Sequence, residues 1–240
     1  WVLKEFKASE TGLIDASELL DAKKAMGDNK YEQEFEISFD SPIIGSYYGE
    51  IIKDITDKNH IRDIPSEAAT GKFTAWDLGM SDSTAIWVAQ LTGKEIRLID
   101  YMENHGQGLD WYVNWLKDNK WEKAEQLLPH DVEVRELGTG KSRLEVLRES
   151  GLEVRVLPRL AVEDGIQAAR SMLARCWFDE EKCARGVETL RQYRRDFDEK
   201  NKAWRARPLH DWTSHGADAW RYMAIGYNPV QDWGEPIRRN

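Results

Sequence analysis

The chain has 240 residues, of which 41% are hydrophobic and eleven are tryptophan, so most of it can build a folded core and is not intrinsically disordered. Its net charge of −9 argues against tight, non-specific affinity for nucleic acid, although local cationic contacts remain compatible with that charge. No run approaches the ~18 apolar residues of a membrane span, and the two cysteines, Cys176 and Cys183, are too few for a disulfide framework and are expected to be reduced thiols of a cytosolic protein.

The first part of the chain is predicted to be an acidic appendage. Residues 1–71 hold 8 Lys and Arg against 15 Asp and Glu. A short amphipathic helix that ends at Gly27 is expected there, followed by a half-buried strand at 34–39, where apolar side chains alternate. The polar run that leads to Pro65 has no strong periodicity and is predicted to be a linker. Because the sequence begins with Trp1 rather than Met, we expect a fragment of a longer protein.

From Gly71 onward the pattern changes to short strands and helices. Strands are predicted at 73–77, 83–91 and 95–102, and together they form a β-meander. The later elements are predicted, in order, as helix 109–116, strand 125–128, helix 141–150, strand 152–157, helices 162–174 and 180–193, a polar loop at 198–208 and a final helix at 213–225. A meander followed by strand–helix units predicts an α/β fold with a mixed sheet and helices on both faces. This is the order of elements of the ribonuclease-H-like fold, in which the first and fourth strands lie parallel at the centre of the sheet.

Two aspartates stand at the ends of predicted strands. Asp77 closes the first strand, on the face that it shares with Phe73 and Ala75. Asp131 follows the fourth strand, just after Pro129, a residue that a strand end tolerates and a strand centre does not. If these strands are neighbours, both carboxylates project from the same end of the sheet, where open α/β sheets bind their ligands.

A third aspartate lies in the final helix. Apolar side chains surround nearly the whole circumference of this helix, which predicts that it is substantially buried. Asp218 stands between Ala217 and Ala219, whose small side chains allow close packing on the sheet. A buried carboxylate needs a cation beside it, and either Arg221, three residues further on, or a metal ion can provide one. For Asp218 alone the two explanations are equally good.

The joint placement of the three acids favours a catalytic site, although each acid singly is better explained as a cap or a solvated side chain. Three carboxylates that converge without matching cations repel one another. Mg²⁺ and Mn²⁺ remove that repulsion, because hard divalent cations prefer oxygen ligands. Two such ions roughly 4 Å apart activate a water and stabilise the leaving oxygen of a phosphodiester. The acids therefore predict metal-dependent phosphodiester hydrolysis.

At these residues the sequence resembles the nuclease domain of large terminase subunits, the DNA-packaging motors of tailed bacteriophages. The likeness covers about residues 30–228. It is carried by FTAWDLG at 73–79, LPHD at 128–131, HDWTSHGADAWRY at 210–222, GLEVRVLP at 151–158 and DGIQAAR at 164–170. In addition, YEQEF at 31–35 resembles the segment that closes the family's ATPase domain.

The resemblance implies a ribonuclease-H-like endonuclease that uses two Mg²⁺ or Mn²⁺ ions to cut concatemeric double-stranded viral DNA in the cytoplasm of the infected bacterial host. Three residues match the family's metal-binding acids by position: Asp77, Asp131 and Asp218. Asp82 resembles an extra acid that some members place near the second metal. The middle acid varies within the family, so Glu133 and Glu136 compete with Asp131 for that role.

The same resemblance implies a domain plan and partners. Residues 1–70 are expected to be an appendage and linker from the end of a missing ATPase domain, 71–228 the nuclease domain and 229–240 a tail. The expected partners are double-stranded DNA, the ATPase domain of the same subunit, the small terminase subunit and the portal, with no membrane. The run GTGKS at 138–142 looks like a phosphate loop, but Arg135 stands where its spacing needs glycine, so we expect no ATP hydrolysis from this fragment.

Other residues near the acids have two explanations each. Lys141 and Arg143 open the helix after Asp131 and are candidates for contacts with DNA phosphates, although an ordinary solvated helix start explains them equally well. His215 shares a helix face with Asp218, which places it near the expected metals. It is a candidate for proton transfer or for support of a metal ligand, and a buried structural histidine is the simpler alternative.

Two alternative functions remain open. The first keeps the ribonuclease-H-like fold but makes the chain another nuclease, such as a junction resolvase or a transposase core. The second is a non-catalytic docking module that uses its acidic N-terminal part to engage packaging partners.

Overall fold

The computed structural model describes residues 7–27, 31, 34–35, 43–68, 70–79, 83–135 and 140–227. The strands, in chain order, are β1 (Ile61–Arg62), β2 (Lys72–Asp77), β3 (Ser83–Thr92), β4 (Glu95–His105), β5 (Glu125–Leu128), β6 (Val154–Val156), β7 (Cys176–Asp179), β8 (Arg195–Asp198) and β9 (Ala203–Pro208). The α-helices are α1 (Ala8–Thr11), α2 (Ala16–Met26), α3 (Gly49–Asp57), α4 (Leu109–Asp118), α5 (Arg143–Glu149), α6 (Val162–Leu173), α7 (Ala184–Gln192) and α8 (Ser214–Gly226). A 3-10 helix covers His130–Glu133.

A seven-stranded mixed sheet organises the fold, in the order β1-β7-β4-β3-β2-β5-β6. Strand β3 runs antiparallel to both β2 and β4, which confirms the predicted meander. The other neighbours in this sheet pair in parallel. The predicted α/β architecture, with a mixed sheet and helices on both faces, is confirmed.

The parallel pair β2–β5 lies in the middle of this half of the sheet, as the sequence predicts. Phe73 lies opposite Glu125 and Ala75 opposite Leu127. The carboxyl ends of both strands therefore reach the same edge of the sheet. Asp77 ends β2 at this edge, and Asp131 follows β5 in the 3-10 helix.

A buried polar network holds β2 and β5 in this register. The Oε1 atom of Gln126 accepts hydrogen bonds from the Thr74 hydroxyl at 2.6 Å and from the Trp76 indole N–H at 3.0 Å. Its Nε2 group donates to the backbone carbonyls of Trp121 and Ala124. Every hydrogen-bonding group of the Gln126 amide thus has a partner, as a fully buried amide requires.

We expect Gln126→Leu to lower the free energy of unfolding by about 2–4 kcal/mol, because it leaves buried donors and acceptors of its neighbours unsatisfied. Chemical denaturation measures the loss. The matched control is Gln167→Leu, since Gln167 is exposed on α6 and its side chain bonds only to Glu163 among the contacts described. Equal stability of the two variants would show that the network does not hold the strands together.

Helices cover both faces of the sheet. On one face α3, α6, α7 and α8 enclose a core that includes Trp87, Phe178 and Trp220, whose rings lie 5.5–5.9 Å apart. On the other face α4 and α5 cover a second core that includes Trp76 and Ile86. None of the helices in the described part of the chain combines the length and hydrophobicity that crossing a membrane needs. The thiols of both cysteines are free and buried, and burial raises their pKa.

The region before residue 71 differs from the sequence prediction. The run predicted as a linker forms α3 and β1, so that interpretation is wrong. Ile52 and Ile55, three residues apart, turn one face of α3 into the core, and β1 adds a parallel edge strand to β7. This amphipathic pattern is only two turns long, too short to stand out among polar residues. Glu34 and Phe35, predicted as part of a strand, are helical, and the rest of that prediction lies outside the described residues.

The polar loop predicted at 198–208 is a β-hairpin instead, formed by β8 and β9. Charge pairing across the hairpin stabilises it: Arg205 contacts Asp196 at 2.8 Å and Asp198 at 3.2 Å. Trp204 packs against Gly45, where a Cβ atom would come within 2.6 Å of the indole ring. The hairpin was missed because its stability depends on these contacts rather than on alternating hydrophobicity. Strand β7 was also missed, because it has only four residues.

Candidate active site

Asp77 is placed by its position at the last residue of β2. Phe73 and Ala75, on the same face of the strand, are buried in the core under α8, and the alternation carries Asp77 to the edge of that core. Its side chain is 18% exposed, so one part of the carboxyl meets protein and another meets solvent. The position combines a fixed backbone with an accessible oxygen.

Helix α8 brings Asp218 to the same place. Ala217 and Ala219 are fully buried, which lets the helix lie close to β2 and β3. Asp218 is 31% exposed, and its Oδ1 atom accepts a hydrogen bond of 2.8 Å from Nη2 of Arg221. The salt bridge that the sequence offered as one explanation for this acid is therefore formed.

His215 connects the helix to the strand. It lies one turn before Asp218, and its Nδ1 atom is 3.0 Å from Oδ2 of Asp77. Both side chains are largely buried, at 14% and 18% exposed. The contact fixes the orientation of the Asp77 carboxyl, so His215 touches the acid of the strand in addition to sharing a helix face with Asp218.

The two carboxylates influence each other. Burial raises the pKa of Asp77 from 3.8 to about 6, although the hydrogen bond with His215 lowers it. The negative charge of Asp218 raises this pKa further, which shows that the two groups are close enough to repel. Asp77 thus carries a carboxylate that is less stable in its charged form than an ordinary one.

Tyr222 is a residue of this site that sequence reasoning missed. Burial raises the pKa of its hydroxyl to about 12, and the charges of Asp77, Asp218 and Asp131 all contribute to the rise, whereas Arg221 opposes it. One hydroxyl therefore lies within the electrostatic reach of the three predicted acids. Its spacing was the available signal, because Tyr222 is four residues after Asp218 on the same helix face.

The middle acid is less enclosed than the other two. Asp131 and Glu133 both lie in the 3-10 helix and are exposed. Glu136, the other candidate, and Asp82, the predicted extra acid, lie outside the described residues. The choice among these acids stays a prediction.

The two cations predicted to contact DNA lie at the start of α5. Lys141 is exposed and forms an ion pair of 2.7 Å with Glu149. Arg143 is the first residue of the helix, after a capping box in which Ser142 and Glu145 exchange hydrogen bonds. The capping box explains why the helix begins here, and the role of both cations in DNA binding stays a prediction.

The acids at this edge suit a divalent cation. In the described ranges, no three Asp, Glu, His or Cys side chains are already drawn together as metal ligands. The raised pKa of Asp77 nevertheless indicates that its buried carboxylate has too little positive charge around it. Carboxylate oxygens are the ligands that Mg²⁺ and Mn²⁺ prefer, and a cation between Asp77 and Asp218 would offset their repulsion. The residues present therefore fit such an ion.

Comparison with solved structures identifies the fold. The chain matches the large terminase nuclease of thermophilic phage G20c with bound magnesium (TM-score 0.54, 14% identity, 78% of this chain and 100% of that chain). It also matches the large terminase nuclease domain of P22 (TM-score 0.52, 18% identity, 69% and 85%). No protein-family model matches the sequence, and no curated protein matches it at a significant level. The chain thus has the ribonuclease-H-like fold of these terminase nuclease domains.

A longer protein gives a match over more of the chain. The large terminase of another thermophilic bacteriophage aligns with 91% of this chain at 14% identity and a TM-score of 0.53. The chain spans about half of that protein, 54% of its length.

Proposed function

We propose that this chain is the nuclease part of a phage large terminase, a metal-dependent endonuclease that cuts concatemeric double-stranded DNA during genome packaging. The observation that carries the proposal is the shared location of Asp77 and Asp218. These carboxylates come from opposite ends of the sequence, yet they lie close enough for each to disfavour the charged form of the other. Terminase nuclease domains share the fold, and one of them binds magnesium.

Asp77, Asp131 and Asp218 would hold two Mg²⁺ or Mn²⁺ ions, with Asp82 as a further ligand. When bound, these ions supply the activation of the attacking water and the neutralisation of charge on the phosphate. The chain's own residues position the ligands. His215 orients the carboxyl of Asp77, and Arg221 holds Asp218 through its 2.8 Å hydrogen bond.

The proposed biological setting follows from the same comparison. The chain would act in the cytoplasm of an infected bacterium, joined to an ATPase domain in the same subunit, with the small terminase subunit and the portal as partners. Lys141 and Arg143 would contact the DNA backbone beside the cut. ATP hydrolysis would belong to the rest of the subunit.

Plasmid cleavage with Mg²⁺ or Mn²⁺ tests the proposal. We expect the wild-type chain to nick and linearise duplex DNA, and Asp218→Asn to lower the rate by more than about 100-fold, because loss of a metal ligand costs more than the 10–100-fold typical of an outer partner. Asp110→Asn, an acid in the first turn of α4, is the control. No cleavage with either ion would contradict the proposal, and a preference for branched DNA or strand joining would favour a resolvase or a transposase core.

The contact between His215 and Asp77 gives a second expected result. We expect His215→Ala to slow cleavage by about 10–100-fold and to move the acid limb of the pH–rate profile to higher pH, because loss of this hydrogen bond raises the pKa of Asp77. His215→Asn, whose amide nitrogen can replace Nδ1, should restore most of the rate. His60→Ala is the control, since His60 stacks on Trp177 at 3.9 Å at another edge of the sheet. An unchanged pH profile in His215→Ala would show that the contact does not tune Asp77.

A further inference from the structure

A pocket of about 810 Å³ opens beside the carboxylates. It lies over the start of β3 and the end of β4, whereas Asp131 follows β5 on the other side of β2. His215 belongs to both places, because it lines the pocket and contacts Asp77. The pocket and the carboxylates thus form one continuous groove across the edge of the sheet. Its volume lies in the range of about 300–1,000 Å³ that is typical of small-ligand sites.

An arginine stacked on a tryptophan forms one wall of the pocket. The guanidinium of Arg185, at the start of α7, lies 4.0 Å from the centre of the Trp212 ring. The side chain of Arg185 is 55% exposed, and Trp212 is 38% exposed just before α8. A large aromatic residue is rarely left this exposed unless it packs against a partner. Aromatic rings and guanidinium planes are the surfaces on which proteins stack nucleic acid bases.

The charges of the pocket are nearly balanced. Glu103 accepts a hydrogen bond of 2.8 Å from the Tyr101 hydroxyl and lies 3.7 Å from Arg185. Asp211 lies 3.4 Å from Arg194. Each carboxylate of the pocket therefore has an arginine partner, and the pocket holds little excess positive charge for a phosphate. Stacking on a base, rather than attraction to the backbone, is the interaction this wall offers.

We propose that this pocket binds one unpaired nucleotide of a DNA strand, with its base against the stack of Trp212 and Arg185, next to the phosphodiester at Asp77. The proposal rests on the proposed nuclease function and specifies the form of its substrate. A base inside a duplex has both faces covered by its neighbours, so only a base at a strand end or in an opened segment can stack here.

Binding without metal tests the pocket separately from catalysis. In EDTA, fluorescence anisotropy compares a labelled ten-nucleotide dT strand with an abasic strand that has the same phosphates. We expect the wild-type chain to bind dT at least about 5-fold more tightly, and Trp212→Ala to bind both strands equally. Trp212→Phe keeps an aromatic ring and should restore the preference. Trp111→Ala is the matched control, because Trp111 is 37% exposed on α4.

The outcomes separate this proposal from the nuclease. Equal binding of the two strands by the wild-type chain, or an unchanged preference in a folded Trp212→Ala, would overturn the pocket while plasmid cleavage still supports the nuclease. A preference for dT that depends on Trp212, in a chain that cuts no plasmid with Mg²⁺ or Mn²⁺, would support the pocket and contradict the nuclease.

Discussion

Asp77→Asn is expected to abolish DNA cleavage and, at the same time, to stabilise the metal-free protein at neutral pH. The folded pKa of Asp77 is about 6, above its ordinary value of 3.8, because the carboxyl is buried and close to Asp218. The folded state therefore binds this proton more tightly than the unfolded state. The group favours folding below about pH 4, and this contribution is lost as the pH rises through 6.

The size of the effect follows from the pKa shift. Two pH units at about 1.4 kcal/mol each set an upper limit near 3 kcal/mol. Because asparagine is neutral at every pH, we expect the variant to exceed the wild type by about 1–3 kcal/mol at pH 7 and to match it at pH 4. Thermal or urea denaturation in EDTA measures both differences.

Added metal should reverse the order of stability. Mg²⁺ or Mn²⁺ binds only the wild-type site strongly, so it should raise the melting temperature of the wild type and leave that of Asp77→Asn nearly unchanged. Asp57→Asn, an exposed acid at the end of α3, should behave like the wild type in every assay. A variant that is less stable than the wild type at pH 7 in EDTA would show that Asp77 has a structural role instead.

Gly216→Ala is expected to damage the site through packing alone. Gly216 lies between His215 and Ala217 in the first turn of α8, and its carbonyl accepts a 2.9 Å hydrogen bond from the Trp87 indole. An added Cβ would come within 2.5 Å of the Tyr101 hydroxyl and 2.7 Å of Thr189. Since neither neighbour is a flexible side-chain end, the helix start must shift, and His215 must shift with it.

We expect this variant to lose about 1–3 kcal/mol of stability and about 10–100-fold in cleavage rate, because small displacements of reacting groups are costly. Gly108→Ala is the matched control, since nothing lies within 4 Å of its added Cβ and its φ of −76° suits alanine. Full activity in Gly216→Ala would mean that the position of the helix start does not set the geometry of the site.

The sequence predicted most of the central fold because its elements have strong local patterns. The meander, β5, and the helices α4, α6 and α8 have clear period-two or helical spacing, and their order implies the parallel pairing of β2 and β5. Short elements that depend on distant partners were missed or misinterpreted, namely α3, β1, β7 and the β8–β9 hairpin.

For the site, the sequence by itself determined which acids end strands and which acid lies in a buried helix. Only the tertiary structure decided how these groups meet. It placed His215 against Asp77, paired Asp218 with Arg221 and brought Tyr222 within reach of three negative charges. It also formed the pocket of Trp212 and Arg185 from α7 and the segment before α8. The reason is that local patterns specify the face on which a side chain lies, whereas distances and pKa values depend on partners far away in the sequence.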